Sequence, residues 1–199
     1  MAYRTLRLMP ALAAAIALSG CISFGAKPPP SLLTLDSTAQ PQPGQAQSSA
    51  SARSIVVQVP VAPTAIMTAR VPVATGGSVA YIKDAQWSEP PARLFARLLA
   101  DTLTAQAGMV VLSPAQSIGD PSANLMGELR SFTIDAGSHE AVVIYDAALT
   151  RVGSDTVEKR RFEARAPVAK IEPGQAGAAL NKAANDVGQQ VAAWVGGNR

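Results

Sequence analysis

The sequence predicts an α/β fold, a two-layer sandwich in which a mixed, mostly antiparallel sheet carries two helices packed on one face. Three observations predict it. Short β-branched runs fill residues 54–83, three long alternating segments fill 123–167, and two stretches with helical apolar spacing flank the long segments. A meander of long strands with a charged last member suits a sheet covered on one side only, and two amphipathic helices supply that cover.

The elements follow in chain order. "SIVVQVPV" (54–61) is a β-branched run stopped by proline. "ARVPVAT" (69–75) and "VAYIK" (79–83), divided by "GGS", read as short strands or a hairpin, with Pro72 marking an edge or an irregularity. In "WSEPPARLFARLLADTLTAQAG" the expected cap is Ser88, and Pro90 or Pro91 occupies the first turn, where proline is tolerated. Leu94, Phe95, Leu98, Leu99, Thr102 and Leu103 then share one buried face, and Gly108 ends the helix. "MVVLS" follows as a buried strand.

"NLMGELRSFTID", "EAVVIYDAALTRV" and "DTVEKRRFEARAPV" are separated by turn-prone "AGSH" and "GS". In the second, Val143, Tyr145, Ala147 and Leu149 alternate with Asp146, Ala148 and Thr150. The third carries "EKRR" (158–161), a charge cluster of strand period read as a solvated face. Ala176, Leu180, Ala183, Val187, Val191 and Trp194 recur at three and four, so the chain closes with an amphipathic helix ending at Gly196. Its apolar face is rich in small residues and suits close approach to a sheet or a second helix.

The first twenty residues have a different logic. Arg4 and Arg7 precede an almost wholly apolar run at 10–19, the layout of a secretory signal. The run is about half the ~20 residues that a membrane-spanning helix needs. Small residues then lead straight into Cys21, the single cysteine of the chain, and "Leu18-Ser19-Gly20-Cys21" resembles a bacterial lipobox. A disulfide needs a second cysteine, and a metal site needs more than one Cys and the distant His139. Acylation fits better, because each buried methylene contributes about 0.8 kcal/mol and two chains already anchor a protein stably.

Three regions are therefore expected: a signal peptide at 1–20, a lipidated Cys21 with a flexible Pro/Ser-rich tether over 21–52, and a folded domain over 53–196. "SLLTL" (31–35) leaves room for a short edge strand within the tether. Loss of Arg4 and Arg7 leaves 15 of the 17 basic residues against 14 acidic ones, a net charge near +1. That balance gives no warrant for a nucleic-acid partner.

Catalytic constellations are missing from the sequence. His139 stands alone in a polar turn, no G-x-S-x-G elbow occurs, "GG" at 76–77 lacks the Lys and Ser/Thr of a phosphate loop, and carboxylates are scattered singly. The expectation is a non-enzymatic protein with no catalytic residues, cofactor or metal. Trp87 and Glu89 in "WSEPPARLF", and Trp194 near the end of the last helix, are the candidate partner-binding residues. Each tryptophan is weighed against the simpler role of a core anchor.

A lipobox, a Ser/Pro-rich tether, the strand "IVVQVP", the tyrosine-bearing "VAYI", "WSEPPARLFARLLADTL", a β-meander and a terminal amphipathic helix together resemble the ABC-type transport auxiliary lipoprotein family, which includes PqiC-like proteins. The likeness spans about 31–195, with "W-x-E-P" before an apolar helix its distinctive part. "APTAIMTARVPVATGG" matches loosely, and no binding residue is carried over from it.

The resemblance implies an accessory component of an intermembrane lipid transport system. Its partners would be an MCE-type lipid-binding protein and ABC transporter components, and it could assemble as a homo-oligomer. Ile22 stands where an inner-membrane retention signal usually has Asp, which favours the outer membrane, with the domain in the periplasm and the anchor carrying fatty acyl chains such as palmitate. Two other roles stand beside this one: a lipid-carrying module holding an acyl chain between helices and sheet, and a generic envelope-assembly lipoprotein.

Overall fold

The computed structural model describes residues 31–113, 115–116 and 121–197; the expected signal peptide and Cys21 lie outside them. The spine of the molecule is a thirteen-residue strand, β5 (Ala123–Asp135). One of its edges pairs antiparallel with β6 (Glu140–Arg151), which pairs antiparallel with β7 (Val157–Pro167). The other edge is shared by two short strands. β1 (Ser54–Val57) runs parallel to the start of β5, with Val57 opposite Leu125, and β2 (Arg70–Thr75) runs parallel to its end, with Val73 opposite Ile134. Val61 bridges to Glu128 between them. β3 (Ser78–Gln86) lies antiparallel outside β2, and β4 (Val110–Leu112) lies parallel outside β1. The result is an open, mixed, seven-stranded sheet.

Helix α1 (Pro91–Ala107) and helix α2 (Pro173–Gly197) cover one face. They run side by side in the same direction, since Gly188 meets Leu98 and Thr102 while Gly196 meets Ala107. The predicted sandwich with two helices on one face is the fold observed. The core is continuous between the layers: Leu94, Phe95, Leu98, Leu99 and Leu103 of α1 and Ala176, Leu180, Ala183, Val187 and Val191 of α2 are buried against Leu125, Leu129, Phe132, Val143, Tyr145 and Leu149. Alternation along β6 buries Val143, Tyr145, Ala147 and Leu149, as the sequence pattern requires.

Several local details differ from the sequence expectation. Ser88 does not cap α1: Pro90 holds the cap position with no side-chain bond, and its carbonyl accepts the N–H groups of Arg93 and Leu94. Pro91 at the first helical position has no N–H needing a partner, so a hydroxyl cap is less needed. The "MVVLS" strand is half-buried rather than buried, because β4 is an edge. A 3-10 turn at Thr64–Ile66, unforeseen in the sequence, turns Ile66 into the core. Pro72 does mark an irregular strand, with a register shift between Arg70 and Pro72 and Asp84 at φ 59 within β3.

The largest difference concerns the tether. Within the expected flexible segment 21–52, residues 33–39 belong to the packed domain. Leu33 bridges to Trp87, Leu35 and Ser37 are buried, and the chain lies along the seam between α1 and α2. Alternation explains it, since Leu33, Leu35 and Ser37 face inward while Thr34, Asp36 and Thr38 face out.

A candidate partner-docking surface

Helix α1 buries one stripe in the core and presents a second, formed by Arg93, Ala96, Arg97, Ala100, Asp101 and Thr104 at three- and four-residue spacing. Beside it, Val57 and Val59 continue the extended chain from β1, and Val111 and Leu112 form the edge strand. Between them runs an open trough of about 570 Å³. Alanines at 96 and 100 keep the helix wall low, so the floor is apolar, and Val59 is left 55% exposed. Beyond the trough the exposed Val61 extends the apolar strip.

The rim is polar and of mixed sign. Glu89, just before α1, pairs with Arg97 across the mouth. Asp101 sits deeper, and burial pushes its carboxyl above the ordinary carboxylate range, opposed by the Arg97 guanidinium. Parallel pairing also leaves a backbone donor here. The Val110 N–H points to the carbonyl of Arg53, the residue just before β1, so Val111 turns its N–H and C=O to the outer edge.

The structure separates the three candidate residues. Trp87 is fully enclosed, edge-on to Phe132 with centroids 5.5 Å apart, so its ring offers nothing to a partner in this conformation. Glu89 is on the surface at the trough. Trp194 is half-buried at the far end of α2, 5.5 Å from the ring of Phe162, whose other neighbour is the Arg160 guanidinium at 5.3 Å from its centroid. The trough itself was not foreseen. Its signal was the second α1 stripe, hidden because Ala96 and Ala100 read as ordinary helix formers.

The face of the sheet away from the helices carries a charge ladder. Asp146 accepts two bonds from Arg161, at 2.6 and 2.7 Å, and Arg165 donates to Glu163 and Glu140. Among the described residues no cluster of three or more His, Cys, Asp or Glu side chains could hold a metal, and no helix is long and apolar enough to cross a membrane. His139 occupies the β5–β6 turn with φ 54, where its carbonyl accepts the N–H of Val168.

The family model for the ABC-type transport auxiliary lipoprotein component matches residues 33–192. The chain belongs to that family. Two solved structures share this fold. One is a Xanthomonas campestris protein of family DUF330, 19% identical, covering 83% of this chain and 94% of its own, with a TM-score of 0.67. The other is an uncharacterized protein, 17% identical, covering 72% and 92% respectively, with a TM-score of 0.64. No curated protein matches the sequence. The family match begins at Leu33, within the expected tether and at the first residue bridged to the sheet.

Proposed function

We propose that this auxiliary lipoprotein is a non-enzymatic adaptor of an MCE- and ABC-type intermembrane lipid transport system, anchored through acylated Cys21 in the outer membrane and facing the periplasm. The family match over 33–192 carries the proposal. The lipobox before Cys21 and Ile22 after it support the anchor and its membrane. The trough beside Glu89 is the surface assigned to the MCE-type partner. Its apolar floor and mixed-sign rim suit a polypeptide segment better than an anionic headgroup, which would meet Glu89 and Asp101 as well as the arginines.

The test is chemical cross-linking in cells followed by purification of the full chain. Recovery of MCE-type and ABC components is the expected result, and their absence would remove the adaptor role. Ala100→Arg, which fills the trough, should abolish that recovery while the thermal midpoint moves little. Cys21→Ala should leave the protein unlabelled by radioactive palmitate and release it from the membrane fraction.

A further inference from the structure

We propose that residues 33–39 form a clasp that confines the membrane linker to residues 22–32, holding the domain's α1 and α2 N-terminal end toward the lipid surface. The inference rests on Cys21 being the point of anchorage. The described chain begins close to this place, at Ser31: Leu33 lies against the residues preceding α1 and over Gly177 in the second turn of α2.

The bonds are specific. The Leu33 N–H donates to the Gln86 carbonyl at 2.8 Å, and the Ser88 N–H donates to the Leu33 carbonyl at 2.9 Å. Further along, Asn181 Oδ1 accepts the Asp36 N–H at 3.0 Å. Asn185 Oδ1 accepts the Thr38 N–H at 2.7 Å and its hydroxyl at 3.0 Å, and Asn185 Nδ2 donates to the Asp36 carbonyl at 2.9 Å. Ser37 Oγ lies 3.0 Å from Thr102 Oγ1 of α1. Gly177, Asn181 and Asn185 are four apart, so the clasp follows one side of α2 for two turns.

Asn185 is only 4% exposed. A buried asparagine inside a helix is unfavourable unless its amide is bonded, because the side chain competes with the helix and loses water. Here Thr38 and the Asp36 carbonyl of the clasp satisfy it together with the Asn181 carbonyl one turn earlier in α2. Residues 42–50 contrast sharply: they are exposed, and the hydrogen bonds seen there are local turns such as Gln45 N–H to the Gln42 carbonyl.

The clasp changes the reach. At about 3.3–3.6 Å per residue, Cys21 to Leu33 spans at most roughly 40 Å. An unclasped chain from Cys21 to Ser54 would span about 110 Å. Lipid attachment therefore positions one end of the domain, and Trp194 at the other end of α2 points away from the bilayer.

Hydrogen exchange on the mature chain from Cys21 decides whether the clasp exists. Residues 33–39 should be protected and 42–50 should exchange as an unfolded peptide does. Thr38→Pro removes the Thr38 N–H and hydroxyl from Asn185 without a substitution in either helix, and Asn185→Ala removes their acceptor. Both should speed exchange at 33–39 at least tenfold with β5 and β6 unchanged. Equal exchange of 33–39 and 42–50 in the wild type, or no response to Thr38→Pro, would overturn the clasp.

Coupling the Cys21 thiol to a maleimide lipid in a supported bilayer then reads reach by neutron reflectometry. Thr38→Pro should move the domain layer outward, and an unmoved layer would refute the control of reach. The coupling is chemical, so a lack of acylation in cells would sink the anchor alone and leave the clasp result standing.

Discussion

Gly127 shows how one missing side chain is used. A Cβ there would lie 2.2 Å from the Asp146 carbonyl oxygen and 2.7 Å from the ring of Tyr145, so Gly127→Ala should cost about 1–3 kcal/mol in denaturant unfolding through overpacking. The ring fills that gap and meets Phe95 edge-on, centroids 5.3 Å apart, while its hydroxyl is buried without a partner and burial raises its pKa. Tyr145→Phe should therefore be neutral or stabilise by about 1 kcal/mol, read from the same melt. Asp101 gives a pH signature. Its pKa is raised by burial, so the native state binds a proton more readily and loses stability as pH rises through 3.8 toward the folded value. Asp101→Asn should melt higher than wild type at pH 7, and the gain should vanish at pH 3. Alternation in the sequence placed Tyr145 inward, but "NLMGELR" gives no hint that Gly127 makes room for a ring eighteen residues later. Cross-strand register is absent from local pattern.

Elements were the scale most readable in advance. Three strands after residue 120 and both helices follow period 2 and period 3.6, and each is buried on the face its period selects. Gly108 at φ 62 ends α1 as its position foretold, and Gly108→Ala should cost about 1 kcal/mol for an L side chain in that conformation. Ser88 misled because a hydroxyl near a helix start is the commonest cap, and two prolines made it unnecessary. The clasp misled for another reason. Composition over 21–52 is that of a disordered chain on average; "SLLTL" (31–35) stood out as a short edge strand, but the docking of residues 36–39 was diluted by their neighbours. On the open face of the sheet, Asp146 is held below the usual carboxylate range chiefly by its hydrogen bond from Arg161. That contribution is present above about pH 4 and is lost as pH falls through the lower folded value. The pair is exposed, so Asp146→Asn should cost only about 0.5 kcal/mol at pH 7, and the cost should shrink as pH is lowered below 4.

For the molecule as a whole, the layers were legible and the strand order was not. Nothing in residues 54–75 says that β1 and β2 divide one edge of a strand lying fifty or more residues away. Partition of that edge makes β5 the common partner of β1, β2 and β6. A chain ending at residue 120 keeps α1, the β2–β3 pair and the β1–β4 pair but loses the strand that joins them. It should show no cooperative thermal transition by circular dichroism, whereas the chain from Cys21 to Arg199 should melt as one unit.

The shared edge of β5 also sets an order of events. If the chain emerges from a translocation channel N-terminal end first, its first hundred and twenty residues have no sheet to complete, and loop-closure entropy disfavours their premature collapse. Residues 33–39 would then wait through that interval without the helix that fastens them. Because α2 supplies the asparagines that fasten residues 36 and 38, the last helix to be delivered is the one that secures the first segment of the domain.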